Sequence, residues 1–353
     1  MKKMSKFRLG ILIALLGSVL FGLCIVFNGN LVLNDFPLQE QWRSILDGEV
    51  KALSSNGDQI IFARTSNMLF ALNRESGKIL WQHELVWQGI PKPPITSNGL
   101  VYLADGKAIW ALDQENGMVK WTREVPLTSA SVELVSANVV VVKMSSYVFV
   151  LNAIDGTVIW SKPECRYGDF PVIIENSYFY SPCLNNITTM NINNGEVVRD
   201  IQEPLIIAKV AYRDSIMYYS PDRNLVSALD LQTLRVLWES SFTGEGFREF
   251  IILGSYLAVT GSNKFCIFER ETGNQAWCSD FTNPQNPVII ENMLLVFDGF
   301  QNHITTFDIM TGNELGDLSI KRMNLFSIKR ELMVSIDNLL VFGNGSTVFA
   351  FGK

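Results

Sequence analysis

Apolar and polar residues follow one pattern that recurs along most of the chain. Short alternating apolar runs, such as "MLFALN" (Met68–Asn73) and "AIWALD" (Ala108–Asp113), are typical of half-buried β-strands. Each run ends in Asn or Asp, and a glycine comes four residues later, as in Asn73 and Gly77. Asn and Asp side chains bond the backbone of a tight turn, and glycine supplies positive φ without a Cβ penalty. The pattern therefore predicts a series of β-hairpins.

The hairpins recur with a constant period. Their glycines are Gly77, Gly117, Gly156, Gly195, Gly273 and Gly312, with gaps of 40, 39, 39, 78 and 39 residues. The gap of 78 contains one degenerate copy, "SALDLQTLRVLW" (Ser227–Trp238), which has Leu234 in the glycine position. Such a period is the signature of a repeat architecture.

A tryptophan follows most of these glycines by four residues. The tryptophans at this position are Trp42, Trp81, Trp121, Trp160, Trp238 and Trp277, whereas positions 199 and 316 hold Arg and Gly. A large ring at a fixed position of every repeat is expected to pack between neighbouring repeats. We therefore predict that these six residues dock one repeat onto the next.

A second strand pair precedes each hairpin, so each unit of about 39 residues has four antiparallel strands, as a propeller blade does. The chain ends with "STVFAFGK" (Ser346–Lys353), a strand that lacks its hairpin partner, and "EQWRSIL" (Glu40–Leu46) is expected to supply it. The sequence predicts an all-β fold, in which residues 37–353 form an eight-bladed propeller of four-stranded antiparallel blades.

The N-terminal segment has a different composition. Residues 1–8 carry four positive charges and no acid, and residues 9–27 are nineteen uncharged residues in a row. A helix of this length spans about 30 Å, close to the hydrocarbon core of a bilayer. The positive-inside rule then predicts a cytoplasmic segment (1–8), one transmembrane signal-anchor helix (9–27) and a short linker (28–36). A cleaved signal peptide is the alternative, although no A-x-A-like site follows the apolar run.

The strand, turn, glycine and tryptophan pattern resembles the tryptophan-docking repeat of pyrroloquinoline quinone (PQQ) dehydrogenases. "FALNRESGKILW" (Phe70–Trp81) and "WALDQENGMVKW" (Trp110–Trp121) carry the resemblance, which covers the chain after residue 37. It implies an eight-bladed propeller. It does not imply the chemistry, because non-catalytic propellers share the repeat, including the lipoprotein scaffold of outer-membrane barrel assembly.

Catalytic and cofactor-binding patterns are missing from the sequence. The quinone enzymes typically have adjacent cysteines over the cofactor, and no two of the five cysteines here are adjacent. The only histidines, His83 and His303, lie in different repeats without a second ligand at zinc spacing. We therefore expect no cofactor, no metal and no enzymatic activity. The alternative is a redox enzyme or sensor that binds PQQ and calcium. A net charge of −6 argues against nucleic-acid binding.

Four cysteines form two close pairs in the sequence, Cys165 with Cys183 and Cys266 with Cys278. Outside the membrane both pairs are permitted to oxidise, so each is either a disulfide or a pair of buried thiols.

The loops between blades offer the strongest functional candidate. Several of them are rich in aromatic residues and arginine, the composition of protein interfaces. The candidate partner surface consists of Trp87, Arg166, Tyr167, Phe170, Phe247 and Arg248. The alternative is that these rings fill the space between blades. The sequence thus favours a membrane-anchored, extracytoplasmic interaction or scaffold module that binds a protein or cell-envelope partner.

Overall fold

The structure, a computed structural model, describes residues 31–57, 59–85, 92–105, 108–124, 130–135, 138–144, 147–163, 173–175, 178–183, 186–201, 210–222, 224–247, 249–298, 303–320 and 332–353. Every regular element in these ranges is a β-strand. A helix with the length and apolarity needed to cross a membrane does not occur in them. The predicted cytoplasmic segment (1–8) and transmembrane helix (9–27) lie outside the described residues.

The first four blades each contain four consecutive strands. Blade one contains β3 (Ala52–Ser55), β4 (Ile60–Arg64), β5 (Met68–Asn73) and β6 (Ile79–Glu84), and blade two contains β7 (Ile95–Ser97), β8 (Leu100–Ala104), β9 (Ala108–Asp113) and β10 (Val119–Glu124). Blade three contains β11 (Ala130–Val135), β12 (Val139–Met144), β13 (Tyr147–Asn152) and β14 (Val158–Pro163). Blade four contains β15 (Ile173–Glu175), β16 (Tyr178–Cys183), β17 (Asn186–Asn191) and β18 (Val197–Ile201).

The remaining strands build blades five to eight and a short N-terminal strand. Blade five contains β19 (Ala211–Arg213), β20 (Ile216–Tyr219), β21 (Leu225–Asp230) and β22 (Arg235–Ser241), and blade six contains β23 (Glu249–Leu253), β24 (Tyr256–Thr260), β25 (Lys264–Glu269) and β26 (Gln275–Asp280). Blade seven contains β27 (Pro284–Ile290), β28 (Met293–Asp298), β29 (His303–Asp308) and β30 (Glu314–Ile320). Blade eight contains β31 (Met333–Ile336), β32 (Leu339–Asn344), β33 (Thr347–Gly352) and β2 (Gln39–Ile45), and the short N-terminal strand is β1 (Leu31–Asn34).

These strands form eight antiparallel sheets, seven of four strands and one of five. Within a blade each strand pairs with the next along the chain, so the sheet is a meander. The prediction of an eight-bladed, all-β propeller is confirmed. We call the side with the interblade connections and the turns between second and third strands the loop face. The side with the other two sets of turns is the hairpin face.

The last blade is completed from the opposite end of the chain. Strand β2 pairs antiparallel with β33 as the outer strand of blade eight, with Trp42 opposite Ala350 and Ser44 opposite Val348. The ring is thus closed by backbone hydrogen bonds between the first and the last blade segments.

Part of the predicted linker is a strand, so that prediction needs correction. Strand β1 pairs antiparallel with β30 of blade seven, with Leu33 opposite Leu318 and Asn34 opposite Asp317. The physical reason is that the outer edge of β30 presents unpaired backbone groups, and the "LVLN" sequence can extend along them.

The core lies between the blades rather than within a single layer. Both β4 and β28 are buried along their whole length, because neighbouring blades cover both faces of each sheet. The third strands, which were expected to be half-buried from their alternating pattern, are also largely buried: β5 is buried from Leu69 to Leu72. Outer strands do alternate, as in β6, where Trp81 is buried between exposed neighbours.

Candidate functional site

The tryptophan position is set by an irregularity in every outer strand. In β6, Trp81 lies opposite Ala71 and Ile79 lies opposite Leu72, so Leu80 is an extra residue in the strand. The same β-bulge occurs at the equivalent position of all eight blades. A bulge bends the strand and changes where the following side chain points. Here it accompanies the turning of the indole towards the next blade.

Each of the six docking indoles donates its N–H to a backbone carbonyl in the hairpin turn of the following blade, 32 residues later or, for Trp81, 33 residues later. The pairs and their Nε1 to oxygen distances are Trp42 to Arg74 (2.7 Å), Trp81 to Gln114 (2.9 Å), Trp121 to Ala153 (3.0 Å), Trp160 to Ile192 (2.6 Å), Trp238 to Arg270 (3.0 Å) and Trp277 to Ile309 (2.7 Å). A nearly buried indole is thus satisfied without water.

The repeat glycine lies directly against the indole of the preceding blade. A Cβ added to Gly77 would lie 2.4 Å from Cε3 of Trp42, and one added to Gly117 would lie 2.6 Å from Cε3 of Trp81. The other four pairs, Trp121–Gly156, Trp160–Gly195, Trp238–Gly273 and Trp277–Gly312, are equally close. The six glycines also have φ between +67° and +74°. These positions therefore require glycine both for the turn and for the approach of the ring.

Two aspartates in the hairpin turns have a pKa below the usual value for this side chain. Asp308 Oδ1 accepts hydrogen bonds from the backbone N–H groups of Thr311 and Met310, at 2.8 and 3.1 Å. These bonds, with that of Thr311 first, lower the pKa of Asp308. Asp230 has a lowered pKa for the same reason, with the Thr233 N–H as the largest cause. Both charges are local to their turns and serve to hold the hairpins.

Two blade seams lack the Trp–Gly pair. The position of the receiving glycine lies four residues before the tryptophan of the following blade. It holds Leu234 in the blade after Arg199, and it holds Leu38, four residues before Trp42, in the blade after Gly316. Leu234 is half-buried and keeps the turn conformation at φ +60° although it is not glycine. Where the ring is absent, the glycine that would receive it is absent too. The sequence carries this signal as the spacing of 35 or 36 residues between each tryptophan and its glycine.

Most of the candidate partner surface cannot be placed. Trp87, Arg166, Tyr167, Phe170 and Arg248 lie outside the described residues. Phe247 is described and is partly buried.

The Phe247 ring packs against two other rings. Its centroid is 4.7 Å from that of Phe242 and 5.6 Å from that of Phe250. All three belong to the apolar cluster between blades five and six. The proposed partner surface as a whole stays a prediction.

The two histidines lie apart in the fold. His83 packs edge-on against Trp110 at 5.3 Å in blades one and two, and burial lowers its pKa. His303 lies beside Phe281 in blade seven, with centroids 6.3 Å apart. Across the described ranges, no three His, Cys, Asp or Glu side chains are grouped closely enough to hold a metal ion.

One of the two cysteine pairs is visible as a disulfide. Cys266 of β25 and Cys278 of β26 lie opposite each other and are bonded, with a sequence separation of 12 residues. Cys183 is at the end of β16, but Cys165 lies outside the described residues, so that pairing stays a prediction.

Comparison with known proteins gives one consistent family. The family described as outer membrane protein assembly factor BamB matches residues 38–166 and 185–353 of this chain. The BamB of Yersinia pestis is 21% identical over 330 residues, which cover 88% of this chain and 77% of that protein. The BamB of Shewanella oneidensis is 22% identical over 282 residues, which cover 76% of this chain and 63% of that protein.

Solved structures share the architecture. BamB from Moraxella catarrhalis superposes with a TM-score of 0.68 at 15% identity, covering 90% of this chain and all of that one. A quinohemoprotein alcohol dehydrogenase from Comamonas testosteroni superposes with a TM-score of 0.65 at 10% identity, covering 89% of this chain and 76% of that one. At these identities the likeness establishes the fold and not the activity.

Proposed function

Because this chain belongs to the family described as outer membrane protein assembly factor BamB, we propose that it is a non-catalytic scaffold in the assembly of outer membrane proteins. The single observation that carries the proposal is the family match, which spans nearly the whole ring. The relatives named as assembly factors also align over most of this chain, so the proposed role uses the entire propeller rather than one blade.

The finer proposal is that the propeller stands outside the cytoplasm on an uncleaved N-terminal anchor, residues 9–27. Two observations support it. The apolar run with its basic flank has the length of a membrane-spanning helix. The Cys266–Cys278 disulfide is typical of an oxidising compartment. The loop face would then bind another envelope protein through the candidate partner surface.

The role can be tested by genetic replacement. Deletion of the gene in the source organism is expected to lower the amount of folded β-barrel protein in the outer membrane, measured by heat-modifiable electrophoretic mobility. The wild-type chain should restore it. The variant Arg166→Glu/Arg248→Glu should not, because two cations of an interface core would be reversed.

A matched control separates the loop face from charge in general. Arg235→Glu reverses an exposed arginine at the start of β22, next to the hairpin turn of blade five and at the end of the strand opposite the loop face. It should restore assembly like the wild-type chain. Normal barrel levels in the deletion strain would overturn the proposed role. Full activity of Arg166→Glu/Arg248→Glu would overturn the loop face as the site.

A further inference from the structure

The N-terminal strand fixes the face at which the chain reaches the propeller. Strand β30 follows the hairpin turn of Gly312 and ends on the loop face at Ile320. Strand β1 pairs with it antiparallel, so that Leu31 lies opposite Ile320 and Asn34 lies opposite Asp317. The chain therefore reaches Leu31 on the loop-face side of blade seven and runs from there towards the hairpin face.

The same segment is fixed to the ring beyond β1. Phe36 packs edge-on against Phe351, with ring centroids 5.8 Å apart. Leu38 is 1% exposed and belongs to the apolar cluster shared by blades seven and eight. Strand β2 then completes blade eight. From Leu31 onwards the N-terminal segment is thus part of two blades and does not act as a flexible linker.

Little chain separates β1 from the apolar run proposed as the membrane anchor. The run ends at Phe27, and only residues 28–30 precede Leu31. An extended chain advances at most about 3.6 Å per residue, so the Cα atoms of Phe27 and Leu31 lie no more than about 14 Å apart. The headgroup layer on each side of the hydrocarbon core is itself about 5–7 Å thick. With residues 9–27 across the hydrocarbon core, the loop-face rim of blade seven is therefore held within about 10 Å of the bilayer surface.

The hairpin face lies a strand length further from this attachment. In blade eight, β32 runs from Leu339 on the hairpin-face side to Asn344 on the loop-face side. Its six residues, at about 3.3 Å each, place the two faces roughly 15–20 Å apart. A strand that entered from the hairpin face would hold the opposite side of the ring near the anchor. The register of β1 and β30 therefore decides which side of the ring is closer to the membrane.

We propose that the loop face at blades seven and eight is the surface that the propeller presents to a phospholipid bilayer, and that β1 sets this orientation. The occupant of this surface is the headgroup layer of the membrane that holds the anchor. The hairpin face, with its polar turns, then points away from the membrane. This inference rests on the proposed anchor, residues 9–27, and adds to it which face of the ring the anchor brings to the bilayer.

The measurement is fluorescence energy transfer from the propeller to the bilayer. The full-length chain is reconstituted in vesicles of phosphatidylcholine, which has no net charge, with an acceptor dye on a small fraction of the headgroups. A fluorescent amino acid replaces Asp47 in one sample and Asn338 in the other. Both residues are exposed in blade eight, Asp47 after β2 on the loop face and Asn338 between β31 and β32 on the hairpin face. The distance of closest approach to the acceptor layer is expected to be roughly 10–20 Å shorter from the donor at Asp47.

Changes to the tether supply the controls. An insertion of about twenty glycine and serine residues after Gly29 makes the tether a coil of about 25 Å, which should reduce the difference between the two donors to below about 5 Å. Val32→Pro/Leu33→Pro removes backbone donors from β1 and should reduce the difference in the same way, because β1 would leave β30. The matched variant Val32→Thr/Leu33→Thr keeps those donors and suits a strand, so it should retain the wild-type difference.

Equal distances from the two donors, or a shorter distance from Asn338, overturn the inference for a chain that floats with the vesicles in a density gradient. A difference that persists after the insertion also overturns it, because β1 would then not set the orientation. A full-length chain that does not float with the vesicles overturns the anchor itself, and this inference with it. None of these results bears on the genetic test of the scaffold role, so the proposals fail separately.

Discussion

At the scale of single residues, the propeller is held by one contact repeated six times. The indole of one blade lies against a glycine of the next, and its N–H bonds a carbonyl in the same turn. The two seams that lack the ring also lack the glycine, which indicates that the two positions work as a pair. The tryptophans were recognisable from their spacing. The pairing of each tryptophan with a glycine 35 or 36 residues later became meaningful only when the structure placed both partners in contact.

The glycine requirement can be split into its two parts. Gly117 has φ +70° and an indole in the path of a Cβ, whereas Gly99 has φ +75° and nothing within 4 Å. Gly99→Ala should cost about 1 kcal/mol of unfolding free energy from backbone strain alone. Gly117→Ala should cost about 1–3 kcal/mol more because the ring must move. Thermal unfolding of the two variants measures the difference, and equal losses would mean that the ring contact adds nothing.

The residue pair at the seam of blades four and five should behave as a unit. Arg199→Trp alone brings an indole against Leu234, and Leu234→Gly alone removes a half-buried side chain. Together they recreate the standard pair. A double-mutant cycle in denaturant should therefore show a favourable coupling of about 1 kcal/mol. Additivity within about 0.3 kcal/mol would show that the two positions do not meet.

At the scale of elements, strand type and turn chemistry follow from local sequence, but strand partners at the ends do not. Strand β2 was assigned to the last blade because the C-terminal strand lacks a partner. The pairing of β1 with β30 was missed, since "LVLN" carries no repeat signature. Its position depends on which outer edge lies within reach of a chain that must continue into β2.

The disulfide between β25 and β26 is expected to stabilise blade six. Closing a loop of about this length contributes roughly 3 kcal/mol by restricting the unfolded chain. Reduction of the wild-type chain should lower its thermal midpoint, and Cys266→Ala/Cys278→Ala should lower it similarly. Reductant added to this double variant then reports on Cys165 and Cys183. A further loss indicates a second disulfide, and no further loss indicates free thiols there.

At the scale of the whole molecule, the eight-bladed ring does not by itself identify a function. The fold is shared by an assembly factor and by a dehydrogenase. Architecture therefore cannot choose between them, and the proposed scaffold role rests on the family match.

A thermal shift assay tests the enzymatic alternative directly. PQQ with calcium at about a hundred times a dissociation constant would add roughly 2.7 kcal/mol to the stability of a protein that binds it. We expect the thermal midpoint to stay unchanged, while a quinone dehydrogenase measured in parallel shifts. A calcium-dependent rise in this chain would replace the scaffold role with a redox or sensor role.

The repeat, the blade count and the ring closure follow from the sequence, because period, turn residues and tryptophans are local signals that recur. The sequence also predicts one membrane-spanning run and two cysteine pairs from spacing alone. It could not show that Leu38 is buried together with residues of blades seven and eight, or that β1 extends the sheet of blade seven. Those facts depend on contacts between residues of different blades. Only the closed ring brings such residues together, because each blade buries its faces against its neighbours.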